Sequence, residues 1–165
     1  MPWRLLDGTK VLLRPIRPED EPLEREMLYT LSEETMRMRF FRVVREITHE
    51  MLIRFCNIDY DRDFAMVAEI EKNGARKLIG VGRVMMEHDL KTGEIAVLVH
   101  DAFQGKGLGY KLMEVLIRIA KEKGLEELRG IALTENTRIL RMVREFDFTR
   151  EYLPHGETAI RLRLR

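Results

Sequence analysis

Residues 94–124 read EIAVLVHDAFQGKGLGYKLMEVLIRIAKEKG, and the fold turns on how this stretch is read. Ile95, Ala96, Val97, Leu98 and Val99 form an unbroken apolar run, the pattern of a strand covered on both faces. Leu108, Leu112, Val115, Leu116, Ile119 and Ala120 then recur at helical spacing, with Lys111, Glu114, Arg118 and Glu122 on the other side. Gly124 ends the helix after a basic last turn. Between strand and helix stands Gln104-Gly105-Lys106-Gly107-Leu108-Gly109. Glycine allows positive φ and close backbone approach, and the first helical turn leaves its N–H groups unpaired. Those donors, with the helix dipole behind them, suit a phosphate, and Lys106 adds a positive charge.

Rival readings of the turn fail on spacing. A Walker A loop needs Ser or Thr after Gly-Lys, where this chain has Gly107. A dinucleotide fingerprint needs a glycine where Tyr110 stands. A turn that merely joins strand to helix stays open as the plain alternative.

The 165 residues suit one domain with a sizeable core, and 29 basic groups nearly cancel 28 acidic ones. No global field therefore points to nucleic acid or an anionic membrane. The apolar runs are too short for a membrane span and no signal sequence opens the chain, so a cytoplasmic protein is expected. Cys56 is the only cysteine and reads as a buried thiol. His49, His88, His100 and His155 are scattered without metal-ligand spacing, so no metal is expected.

Taken in order, residues 10–16 read as a strand after the Asp7-Gly8 turn, and Pro18 opens a helix carrying Leu23, Met27, Leu28 and Leu31. Ser32 caps a second helix through Phe40, and Thr48 starts a third with Met51, Leu52, Phe55 and Cys56. Residues 64–70 and 77–85 flank a hairpin turn at Asn73-Gly74. After the central strand and helix come a strand over 128–133 and a helix over 136–146. A closing hairpin over 149–153 and 158–164 puts Thr158, Ile160, Leu162 and Leu164 on one face.

Gln-x-x-Gly-x-Gly after a buried strand, within this order of elements, resembles the GNAT acyltransferases. The resemblance covers essentially the whole chain and implies an α/β (α+β) GNAT fold, a mixed and mostly antiparallel sheet of about seven strands flanked by four or five helices. Asp7-Gly8-Thr9 leading to Ile16-Arg17-Pro18-Glu19-Asp20, Arg39-Phe40-Phe41, and Asp59-Tyr60-Asp61-Arg62 before Ala65-Met66-Val67-Ala68 are similar to the acetyltransferase domain of Pat-type protein lysine acetyltransferases. That domain is often fused to a further module, and residues 1–165 are expected to be the catalytic domain alone.

The resemblance implies acetyl-CoA as donor and an acceptor amine, foremost a protein lysine. A small amine, a protein N-terminus, or an acyl-CoA sensor without turnover are the alternatives. Gln104, Gly105, Lys106, Gly107, Leu108 and Gly109 would hold the pyrophosphate of acetyl-CoA. The backbone around Leu98 and Val99 would bind the acetyl carbonyl and pantetheine arm, and Asn136 would contact that arm or cap its helix. Glu94, at the start of the central strand, is the candidate base; its apolar neighbours could raise its pKa, or it is a solvated strand-end carboxylate. Asp59, Asp61 and Asp63 could attract a basic substrate or simply make an acidic turn. Two positions depart from the family pattern: Val143 where many members place a tyrosine acid, and Asp147 in place of a glycine before Phe148.

Overall fold

The computed structural model describes residues 1–164. The chain runs β1 (Pro2–Arg4), β2 (Lys10–Pro15), α1 (Glu21–Tyr29), α2 (Glu33–Phe40), α3 (His49–Cys56), β3 (Phe64–Lys72), β4 (Ala75–Met86), β5 (Thr92–Val99), α4 (Leu108–Glu122), β6 (Glu127–Leu133), α5 (Thr137–Glu145), β7 (Thr149–Leu153) and β8 (Glu157–Arg163). One sheet holds all eight strands in the order β1-β2-β3-β4-β5-β6-β8-β7. Every pairing is antiparallel except that of β5 with β6. The strand beyond the seven expected is β1, whose three residues pair with β2 and are too few to show an alternation.

Local chemistry explains the elements. Ser32 and Thr48 cap α2 and α3 by accepting the N–H of Thr35 and Met51. Asn73 (φ 54) and Gly74 (φ 79) give the β3–β4 hairpin the two positive-φ residues of a tight turn. Asp147, where the family pattern has glycine, adopts φ 69, a conformation that aspartate tolerates better than most residues. The N–H groups of Asp147 and Phe148 bond Arg144 O and Val143 O, so the end of α5 survives the substitution.

Two apolar layers sandwich the sheet. Leu108, Leu112, Leu116 and Ala120 of α4, with Leu140 and Val143 of α5, pack on one face against Val84, Ile95 and Leu128. Met27 and Leu28 of α1, Met36 of α2, and Leu52 and Cys56 of α3 pack on the other against Val67, Val81 and Leu98. Gly82 lets α4 lie close, since a Cβ there would stand 2.8 Å from Leu116 Cδ1. Burial pushes the Cys56 thiol up to about 12, as befits a core thiol.

Candidate active site

Strand β5 pairs with β6 only where Thr92, Gly93 and Glu94 face Glu127, Leu128 and Arg129. Past Glu94 the two strands part, and a groove of 660 Å³ opens between them. Residues 95–99 form its floor, α2 supplies Thr35, Met38, Arg39 and Phe40 as one wall, and Asn136, Arg138, Ile139 and Met142 stand opposite. At about 3.3 Å per residue the floor from Glu94 to Val99 runs about 17 Å, room for an extended arm.

The splay leaves backbone donors aimed into the groove. His100 N–H donates to Ile79 O on β4, while on the other side Lys91 O accepts from Glu126 and Glu127 of the β6 entry. Alternation along β5 therefore directs Leu98 N–H to β4 and turns the N–H groups of Val97 and Val99 towards the gap. No strand answers them there.

Side chains brace the far end. Asp101 accepts from Ser32 N–H at 2.9 Å and from the hydroxyls of Ser32 and Thr35, locking the start of α2 to the end of β5. Partial burial works against the Asp101 charge, yet these bonds outweigh it and hold the carboxyl below its ordinary value. Gln104 Nε2 donates to Val99 O at 3.0 Å and to Thr35 Oγ1 at 3.2 Å, and its Oε1 accepts from Arg138 at 2.7 Å. Gly105 (φ 75) and Gly107 (φ 89) then lead into α4, whose first turn points N–H groups out of the helix.

A strand that splays from its parallel neighbour, a glycine turn at its end and a helix beginning there reproduce the signature expected of the central stretch. The family model for the acetyltransferase (GNAT) domain matches residues 10–149. The chain belongs to the GNAT acetyltransferase family. This GNAT chain is 30% identical over 158 residues to Acetyltransferase PA5475 of Pseudomonas aeruginosa, covering 96% of itself and 85% of that protein. It is also 30% identical over 137 residues to Acetyltransferase Pat of Mycolicibacterium smegmatis, where it covers 82% of itself but spans 40% of Pat. The GNAT domain of S. lividans PAT shares its fold with a TM-score of 0.88 over 99% of this chain and 96% of that one, at 22% identity. The chain is a GNAT-type acetyltransferase, and acetyl-CoA is its acetyl donor.

Within the GNAT groove the structure gathers most of the residues that sequence pointed to. Glu94, Leu98, Val99, Gln104, Gly109 and Asn136 line it. Glu94 is exposed at the mouth, so the apolar enclosure expected around its carboxyl is absent. Leu98 contributes floor backbone while its side chain packs among Ile16, Met27 and Leu28. Asn136 does cap α5, its Oδ1 accepting from Ile139 N–H at 3.3 Å. Leu108 is core at the start of α4, leaving only its backbone for a ligand.

Lys106 is held elsewhere: its Nζ pairs with Asp7 Oδ2 at 2.8 Å over the ring of Phe103. The bond from Lys106, with two from Thr9, keeps the Asp7 carboxyl well below the usual carboxylate range. The three aspartates do not reach the groove. Asp63 instead accepts from Met86 N–H and Asp59 from Asp61 N–H.

Three contributors escaped the sequence reading. Arg138 stands two residues past Asn136 at the start of α5, Asp101 sits in the turn between His100 and Gln104, and Arg37 reaches Glu135 across the groove. Position next to motif residues was the only signal for the first two. Val143, in place of a tyrosine, is fully buried, and among the described residues no tyrosine lines the groove. Among the described residues no helix is long and apolar enough to cross a membrane.

Proposed function

We propose that the chain transfers acetyl from acetyl-CoA to a protein lysine ε-amine, with Glu94 as base. The carrying observation is the setting of Glu94, an exposed carboxylate where β5 and β6 part and the groove opens. Around that mouth Phe41 and Ile131 are 43% and 48% exposed, and Met85, opposite Glu94 in register, is 56% exposed. An acid at a mouth that also exposes apolar side chains suits a lysine presented by a polypeptide better than a small polar amine.

The chemistry follows from the groove. A lysine amine has a pKa near ~10.4, so the nucleophile must lose a proton before or during attack. The nitrogen lone pair forms the C–N bond, and the C–S bond breaks with its electrons going to the sulfur of coenzyme A. The ammonium gives its first proton to water before attack; the second, shed by the nitrogen as the amide forms, passes to Glu94 and then to water, and the thiolate takes a proton from water. The N–H groups of Val97 and Val99, turned into the gap about 6.6 Å apart, serve separate acceptors, one the developing oxyanion, a contribution of ~2.7 to 4 kcal/mol, and the other the extended arm of acetyl-CoA. The phosphates rest on the backbone of the turn at 105–107, with the Lys106 ammonium turned to Asp7, and on the first turn of α4.

We read residues 1–165 as one catalytic domain acting in the cytoplasm. The test is free-thiol release from acetyl-CoA with lysine-containing proteins and with small amines, after calorimetric proof of acetyl-CoA binding. Glu94→Gln should lower turnover by about 10²- to 10⁴-fold with acetyl-CoA affinity intact. Turnover on polyamines alone would sink the protein-lysine reading. Binding with no turnover on any acceptor would favour an acyl-CoA sensor, the reading that the groove without a tyrosine supports.

A further inference from the structure

Glu94, Ala96 and Leu98 alternate onto the face of β5 that looks towards α1, α2 and α3. On β4, Arg83 stands opposite Ala96 on that same face, two register pairs from Met85 and Glu94, and is only 7% exposed. Arg83 is committed. Its Nη2 lies 3.5 Å from Oε1 of Glu24, its Nη1 donates to Phe55 O at 3.0 Å, and its guanidinium stacks 5.1 Å from the Phe55 ring centroid. Glu24 is 1% exposed, and its Oε2 is buried without a hydrogen-bond partner.

Arg39 from α2 is a second guanidinium over this cluster, lining the groove together with Glu94 and stacking 4.9 Å from the Phe40 ring centroid. Burial and the like charge of Arg83 hold its pKa down to about 10, while Glu24 and Glu94 favour its charged form. The other groups packed around the cluster are settled. Cys56 of α3 is a neutral thiol, Asp20 is paired with Arg14, and Glu135 beyond β6 is paired with Arg37. Glu24 is taken up by Arg83, Asp101 by Ser32 and Thr35, and Arg129, opposite Glu94 in register, by Glu127; of the remaining groove carboxylates, Glu34 and Glu94, it is Glu94 whose charge acts on Arg39.

The two charges bear on the acceptor. A lone carboxylate at the mouth would hold an arriving ammonium as an ion pair and keep it protonated, hence unreactive. A guanidinium lining the same groove offsets the attraction for a cation while leaving the carboxylate free to accept a neutral amine's N–H.

We infer that Arg39 is a positioning residue that faces Glu94 across the groove and selects the uncharged form of the acceptor amine. This deepens the reading of Glu94 as base and rests on it. It assigns to the arginine of Arg39-Phe40-Phe41 a role in choosing the reactive acceptor rather than in holding acetyl-CoA.

The test pairs binding with turnover, using an N-terminally acetylated peptide that carries a single lysine. By calorimetry at neutral pH with coenzyme A present, Arg39→Gln should bind this cationic peptide about tenfold more tightly than the unsubstituted protein. In turnover, kcat should fall, and the ascending limb of kcat against pH should move up by about one unit while the limb of kcat/KM stays in place. Arg39→Lys, which keeps the charge, should behave as the unsubstituted protein in both measurements.

A merely structural role would weaken binding and scale turnover down evenly across pH. Weaker, unchanged or absent peptide binding in Arg39→Gln, or an Arg39→Lys variant that matches it, overturns the inference. If Arg39→Gln does not fold, Arg39→Met, which keeps an unbranched side chain against the Phe40 ring and removes only the charge, faces the same criteria. Normal turnover in Glu94→Gln would instead defeat the base assignment, while the calorimetry would still decide the field that Arg39 exerts.

Discussion

Replacing Gln104 tests whether one amide ties the groove together. Its side chain makes three bonds, donating to Val99 O and Thr35 Oγ1 and accepting from Arg138, and so joins β5, α2 and α5. Two neutral bonds and one charge-assisted bond, all partly solvated, amount to about 2–3 kcal/mol, so Gln104→Ala should lose that much stability. Acetyl-CoA affinity should drop about tenfold, equivalent to ~1.4 kcal/mol, because the turn carrying the phosphate donors loses its anchor. Gln104→Glu is the sharper probe. The introduced carboxylate keeps the Arg138 bond but sets an acceptor against Val99 O at 3.0 Å, so only its protonated form can donate there. The Arg138 pair is exposed and lowers the pKa only weakly, whereas the lost donor bonds to Val99 and Thr35 favour the protonated acid, so folding raises its pKa above the unfolded value of ~4.3. The variant should be close to normal in stability below about pH 4 and lose stability as pH rises through the raised folded pKa. Urea unfolding at pH 4 and pH 8, followed by circular dichroism, reads this difference. A Gln104→Glu protein as stable as the unsubstituted one at pH 8, or a Gln104→Ala protein with undiminished acetyl-CoA affinity, would refute the bracing role.

Gly107→Val should leave a folded domain but abolish acetyl-CoA binding in calorimetry, since φ 89 costs a Cβ-bearing residue ~1–2 kcal/mol and a Cβ would meet Leu6 Cγ at 3.4 Å; normal affinity would remove the turn from the phosphate site. Glu24→Ala should lower stability by about 3–5 kcal/mol in denaturant titration, because Arg83 is left charged and buried without its partner. Asp20 should contribute to acid sensitivity. Burial opposes its charge, but bidentate bonds from Arg14 at 2.7 and 2.8 Å and the N–H of Arg17 outweigh it and lower its pKa. A lowered folded pKa gives stability that is present above the unfolded value of ~3.9 and lost as pH falls through the folded one. Asp20→Asn should flatten that acid limb, as seen in melting temperature against pH.

The sequence by itself carried the central strand, glycine turn and helix, the order of the elements and the family, because these are written in local periodicity and in glycine positions that backbone geometry requires. Ser32, Thr48 and Asn136 announced helix starts for the same reason, each acting within three residues of itself. Even Asp147, which breaks the family's glycine pattern, meets its requirement locally with a left-handed backbone. Tertiary structure alone decided the pairings that make the groove. Lys106 looked like a phosphate ligand until Asp7, 99 positions away in sequence, took its ammonium. Gln104 looked like a contact to the donor until Thr35, 69 positions away, and Val99 claimed its amide. Strand β1 was invisible because three residues carry no period, and the splay past Glu94 depends on how β6 returns beside β5. Arg39 and Glu94 share one groove, with the Arg83–Glu24 ion pair on the same side, because α1 and α2 pack on the face of the sheet to which β4 and β5 turn Arg83 and Glu94. No spacing along the chain encodes that juxtaposition, since long-range neighbours are set by packing and burial rather than by the repeat of any one element.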